Sequence, residues 1–192
     1  MTHPRWPARR IFGALAAPLV TACLLIGSGP AAASTSACQS WTGVQPPSPG
    51  TIFNALQGVT VLSPCDAWTV GIDSSGGPDQ TLIEHWDGAA WTVTPSPDPG
   101  SDRNILYSVR AVSPTDAWAV GTYSNGAGEQ TLILHWDGTT WNPVPSPDPG
   151  GSNNILFGVR AVSPTDAWAV GDGFNVRSGY PTGTYTLHYT LP

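Results

Sequence analysis

The sequence predicts an all-β chain, a β-propeller-type array of about three four-stranded blades of 50 residues, and three observations predict it. Ser113-Pro114-Thr115-Asp116-Ala117-Trp118-Ala119-Val120-Gly121 returns unchanged at Ser163 to Gly171 and with two changes at Ser63 to Gly71. Each period holds four apolar runs of strand length bounded by Pro, Gly, Asp or Asn. No segment carries a helical period with caps. A tandem unit of this length is one supersecondary piece that buries its faces against its neighbours, and four strands is the content of a propeller blade. A β-trefoil or β-prism also suits three four-stranded repeats and stands as the alternative fold.

From the N-terminus, residues 1–33 read as a signal peptide. Arg5, Arg9 and Arg10 form a positive region, Ile11 to Ile26 an apolar core, and Ala31-Ala32-Ala33 a small-residue cleavage site before Ser34. Arg9-Arg10 leaves the export route open between general secretion and the twin-arginine route. Val20-Thr21-Ala22-Cys23 matches a lipobox, but apolar residues continue past Cys23, so a secreted, extracellular product is the expectation and lipidation the lesser reading. Residues 34–50 are expected to supply an N-terminal strand that completes a blade, because Trp41 to Gly50 aligns with Trp91 to Gly100. Repeat 1 then spans 51–100, repeat 2 101–150, and repeat 3, incomplete, 151–192.

Within repeat 2 the expected strands are Leu106 to Val112, Ala117 to Val120, Thr131 to Trp136 and Trp141 to Val144. Both faces of the third are apolar, as a sheet wedged between two others requires. Trp136-Asp137-Gly138-Thr139-Thr140-Trp141, matched by Trp86-Asp87 to Trp91, carries the Asp-Gly pair of a type I′ hairpin. A two-residue loop sets the tryptophans diagonally and a four-residue loop sets them opposite; either way they share a face. These tryptophans, with Trp68, Trp118 and Trp168, are read as core first and as sugar-stacking platforms second. Asp66, Asp116 and Asp166 sit in Ser-Pro-Xaa-Asp turns, where a carboxylate accepts local backbone N–H bonds. The strings ending at Gly100 and Gly150 are proline-rich connectors that cannot serve a central ladder.

The region after residue 33 has four arginines and no lysine against thirteen acidic residues, a net charge of −9. That surface repels phosphate backbones and anionic lipid heads, so nucleic acid and membrane insertion are disfavoured. Cys38 and Cys65 form an even pair in an exported chain and are expected to be joined as a disulfide. Cys65 replaces the threonine of Thr115 and Thr165.

The Ser-Pro-Thr-Asp-Ala-Trp-Ala-Val-Gly and His-Trp-Asp-Gly-Xaa-Xaa-Trp motifs resemble repeats of exported bacterial β-propellers, similar to kelch, BNR (Asp-box) and photosystem II assembly-factor-like propellers. The resemblance covers roughly residues 38 to 189. It implies the fold and leaves function open, because propellers host unrelated activities. An Asp-box has a residue between its Asp and Gly; Asp87-Gly88 and Asp137-Gly138 have none.

No catalytic constellation, cofactor or metal site is expected. His85, His135 and His188 recur once per repeat, yet on third strands they stand about 10 Å from the innermost strand, too far apart to share a zinc ion. Arg110 and Arg160 on the presumed inner strands are expected to pair with an aspartate of a neighbouring blade. Asp98 to Asn104 resembles a calcium loop only loosely. The longest departure from the repeat, 172–183, carries Phe174, Asn175, Arg177 and Tyr180 and is the candidate ligand-binding loop. The expected function is a non-enzymatic binding or scaffold module for protein or cell-wall glycan, with a homodimer completing a ring as a possible assembly. The alternatives are a polysaccharide-acting hydrolase or lyase using Asp73, Asp79 or Asp172, and a truncated structural array without ligand.

Overall fold

The computed structural model describes residues 44–149, 152–174 and 181–190. They hold eleven strands and no helix, in three antiparallel meanders, one per repeat. The first is β1 (Phe53–Ser63), β2 (Asp66–Ser74), β3 (Gln80–Trp86) and β4 (Trp91–Val93). The second is β5 (Arg103–Ser113), β6 (Asp116–Ser124), β7 (Glu129–Trp136) and β8 (Trp141–Pro143). The third is β9 (Asn153–Ser163), β10 (Asp166–Phe174) and β11 (Pro181–Thr190). The last two join into one seven-stranded sheet through a parallel pair, Glu129 opposite Asn153. The all-β class is as the repeat predicts, and neither sheet closes on itself among the described residues.

The meanders pack face to face. Trp68, Val70 and Ile83 of the first meet Leu106, Val109, Ala111, Leu132, Leu134 and Trp141 of the second in one core. Trp118, Val120 and Ile133 meet Leu156, Ala161, Ala167 and Ala169 of the third in another. First strands lie beside first strands: the Ala111 N–H donates to Thr60 Oγ1 at 3.4 Å and the Val159 N–H to Ser108 Oγ at 3.3 Å.

Each first strand carries a bulge, at Leu56/Gly58, Leu106/Ser108 and opposite Val170/Gly171. It presses the strand onto the glycine that ends the nine-residue motif. A Cβ on Gly71, Gly121 or Gly171 would lie 1.9, 1.8 or 2.0 Å from the carbonyl oxygen of Ala55, Ile105 or Ile155. That contact is with backbone, so no side chain fits there.

The local chemistry corrects three expectations. Trp86 pairs with Trp91 and Trp136 with Trp141, so the tryptophans stand opposite each other. The Asp-Gly pair is therefore not the two-residue centre of a type I′ turn. Gly88 and Gly138, both at φ 95°, follow an aspartate whose Oδ1 accepts the N–H groups two and three residues on. In the Ser-Pro-Xaa-Asp turns the local acceptor is serine: Ser63, Ser113 and Ser163 Oγ take the N–H of Cys65, Thr115 and Thr165. The aspartates reach across the sheet instead. Finally, among the described residues Arg110 and Arg160 form no ion pair. Arg110 keeps a buried Nε without a hydrogen-bond partner, and Arg160 is exposed.

The signal peptide, Cys38 of the expected disulfide and Trp41 to Gly43 lie outside the described residues. Residues 44–50 are extended without strand pairing. Gly50 is clamped by Asn54, whose Oδ1 accepts its N–H and whose Nδ2 donates to its carbonyl, both at 2.7 Å. Gly100 and Asn104 repeat that clamp at 2.7 and 2.9 Å.

Candidate functional site

The recurring polar residues form a bracket in each repeat. Asp66, Asp116 and Asp166 Oδ1 lie 3.0, 2.6 and 2.9 Å from Nε2 of His85, His135 and His188. The histidines are the cross-strand partners of Trp68, Trp118 and Trp168. Ring centroids there are 4.2, 4.2 and 3.9 Å apart. Trp86 and Trp136 donate their indole N–H to Pro64 and Pro114 carbonyls at 3.1 Å, which ties the tryptophan hairpin to the Ser-Pro turn. Asp98 and Asp148 Oδ1 accept the Thr81 and Thr131 N–H at 2.7 Å and so fasten each connector to a third strand. Each histidine is thus bound within its own repeat, and no cluster of three or more metal-ligating side chains exists among the described residues.

Of the expected ligand loop, Phe174 ends β10, half-buried, with its carbonyl accepting from Asn153 Nδ2 at 3.5 Å. Asn175, Arg177 and Tyr180 lie outside the described residues. The three candidate carboxylates divide between two meanders. Asp73 and Asp79 share the first meander, where burial, then Asp98 and Asp79, raise the Asp73 carboxyl above its ordinary value. Asp79 and Glu129 flank Arg103, at 4.0 and 3.2 Å. Asp172 lies in the third meander beside Tyr185, whose hydroxyl burial pushes up to about 12.

Two features stand out that sequence reasoning passed over. The first is Glu84, fully buried with neither carboxylate oxygen hydrogen-bonded; burial alone pushes it up to about 7. Its counterparts are Leu134 and Leu187, so a charge inside an otherwise repeated apolar run was the available signal.

The second is the contrast between inner and outer faces. Trp68 and Trp118 are 2% and 1% exposed, and Trp168 is 46%. Val70 and Val120 are fully buried, and Val170 is 48% exposed. At the other end Leu56, Val59 and Val61 are exposed, whereas Leu106, Val109 and Ala111 at the same repeat positions are buried. Between the second and third meanders a cleft of about 80 Å³ is lined by Trp118, Val144, Pro145, Leu187, His188 and Tyr189. One interface earlier Trp141 of β8 fills that place, edge-on to Trp68 at 5.4 Å beside Trp136. No family model, curated protein or solved structure matches the chain.

Proposed function

We propose that the chain is an exported, non-enzymatic binding or scaffold module of β-propeller type, with an extracellular protein or glycan as ligand. The observation that carries this reading is the use of the recurring polar groups. Asp66, Asp116 and Asp166 hold His85, His135 and His188, and Asp98 and Asp148 hold backbone. A general acid or base must reach a substrate proton, and groups engaged in this way serve the frame instead. Face-to-face meanders with first strands side by side support the propeller-type arrangement.

The hydrolase reading keeps one supporting observation, the raised carboxyl of Asp73 near Asp79 and Asp98. The two readings separate in one experiment. The purified chain is sedimented with insoluble cell-wall glycan and a panel of insoluble polysaccharides while reducing-end release is followed in the same tubes. Saturable binding without release supports the module. Release that vanishes in Asp73→Asn would replace it with the hydrolase.

A further inference from the structure

The chain carries both halves of an interface that it already makes twice within itself, and we propose that a second copy of the chain completes it. The exposed face of the third meander packs on the exposed first-meander face of the second copy. Trp41-Thr42-Gly43 of that copy adds along β11 as a fourth strand, with Trp41 in the cleft beside Trp118 and Tyr189. The inference rests on the propeller-type reading above.

Complementarity follows from the repeat itself. Trp68 and Val70 pack on the second meander and Trp118 and Val120 on the third; Trp168 and Val170 present the same chemistry to solvent. Leu106, Val109 and Ala111 receive the first contact, and Leu56, Val59 and Val61 present the receiving surface unoccupied. A face that joins two neighbours inside one chain joins two copies by the same contacts. The inner strands agree. A Cβ on Gly58 would stand 2.8 Å from the Tyr107 carbonyl of the next first strand, whereas one on Gly158 meets only the Val170 side chain.

The cleft identifies the strand. At the first internal interface the fourth-strand Trp141 stands edge-on to Trp68, next to its partner Trp136. At the second, Tyr189 takes the position of Trp136, 4.7 Å from Trp118, and the place of Trp141 is the cleft. Trp41 is the tryptophan in register for it, since Trp41 to Gly50 aligns with Trp91 to Gly100. The clamp of Gly50 by Asn54 matches that of Gly100 by Asn104. Residues 44–50 therefore approach the first meander as residues 94–100 approach the second, from the side of a preceding unit. The chain's own third meander packs on the opposite side of the second, and the third meander of another copy offers the exposed Trp168 and Val170 face that matches this approach. Two copies joined head to tail at both ends give six units, within the range of about four to eight that closes a ring.

Light scattering on the purified chain over a concentration series, with Val170→Glu, Val59→Glu and Trp41→Ala in parallel, tests this. The expected result is a dimer of twice the mass of the processed chain that does not grow with concentration. Val170→Glu and Val59→Glu, each placing an unpaired charge in the contact, should weaken it at least about 100-fold while circular dichroism stays unchanged. Trp41→Ala should weaken it at least about 10-fold. A monomer at every concentration overturns the proposal, as does a dimer indifferent to both glutamates or an oligomer that keeps growing. A monomer that still binds glycan would sink the assembly alone and leave the module intact.

Discussion

A fully buried glutamate with no hydrogen-bond partner pays for desolvation whenever it ionises, and Glu84 is such a residue. Its folded value of about 7 lies above its ordinary 4.5, so the native state holds a proton that the unfolded chain has released. Stability is therefore full below about pH 4.5 and falls as pH rises toward 7, by roughly 2 to 3 kcal/mol, before levelling. Urea denaturation at pH 5 and pH 8 should show that loss, and Glu84→Leu, which restores the residue of repeats 2 and 3, should abolish it. An equal pH slope in the variant would remove Glu84 as its source. The bracket histidines give a graded comparison. His135→Ala strands the buried Asp116 carboxylate and should cost about 1 to 3 kcal/mol. His188→Ala leaves the exposed Asp166 free to find water and should cost about 0 to 1 kcal/mol by the same measurement. Spacing alone placed one histidine on the third strand of each repeat. It did not show the aspartate partner, because a bond from β2 to β3 depends on which cross-strand neighbours face each other, and a repeat fixes that only once the register is known.

At the scale of the strand, the glycine that ends the motif decides whether the bulge forms. A methyl at Gly121 would fall 1.8 Å from the Ile105 carbonyl, so β5 and β6 must separate and lose ladder bonds on both sides of the bulge. Gly121→Ala should destabilise by more than about 3 kcal/mol or prevent soluble expression. Gly77→Ala, with nothing within 4 Å of the added carbon, should leave the unfolding free energy within about 1 kcal/mol of the unmodified chain. Similar losses in both would show that the approach at Gly121 relaxes at little cost. The four strands of a repeat were legible as apolar runs, but the runs understate them. β5 starts at Arg103 and β6 extends to Ser124, because Asn104, Thr122 and Ser124 are buried polar residues that an apolar pattern does not count. The hairpin was legible in existence and misplaced in detail. Asp87 and Asp137 accept N–H groups from the residues after the glycine, which draws the turn centre one position along and sets the tryptophans opposite.

For the whole molecule, units that touch only their neighbours make stability a sum of intrinsic and interface contributions, so a unit held on two sides outlasts a unit held on one. The second meander is packed on both faces, and the first and third each have an exposed one. The repeat made the units legible and could not rank them, since Trp168 reads as the same residue as Trp118 and differs only in its exposure. Native-state hydrogen exchange converts this difference into a prediction with opposite forms for an open array and a closed pair. In Val170→Glu, held open, amides of β6 should be the most protected, with those of β2 and β10 exchanging at lower opening free energy. In the unmodified chain above its association concentration every unit gains a second neighbour, so β2 and β10 should rise to the level of β6. The same graded profile in both proteins would mean that the end faces stay unoccupied. A variant in which β6 is no better protected than β10 would mean instead that the meanders do not stabilise one another as neighbours, and the stacked-unit account of the fold's stability would fail with it.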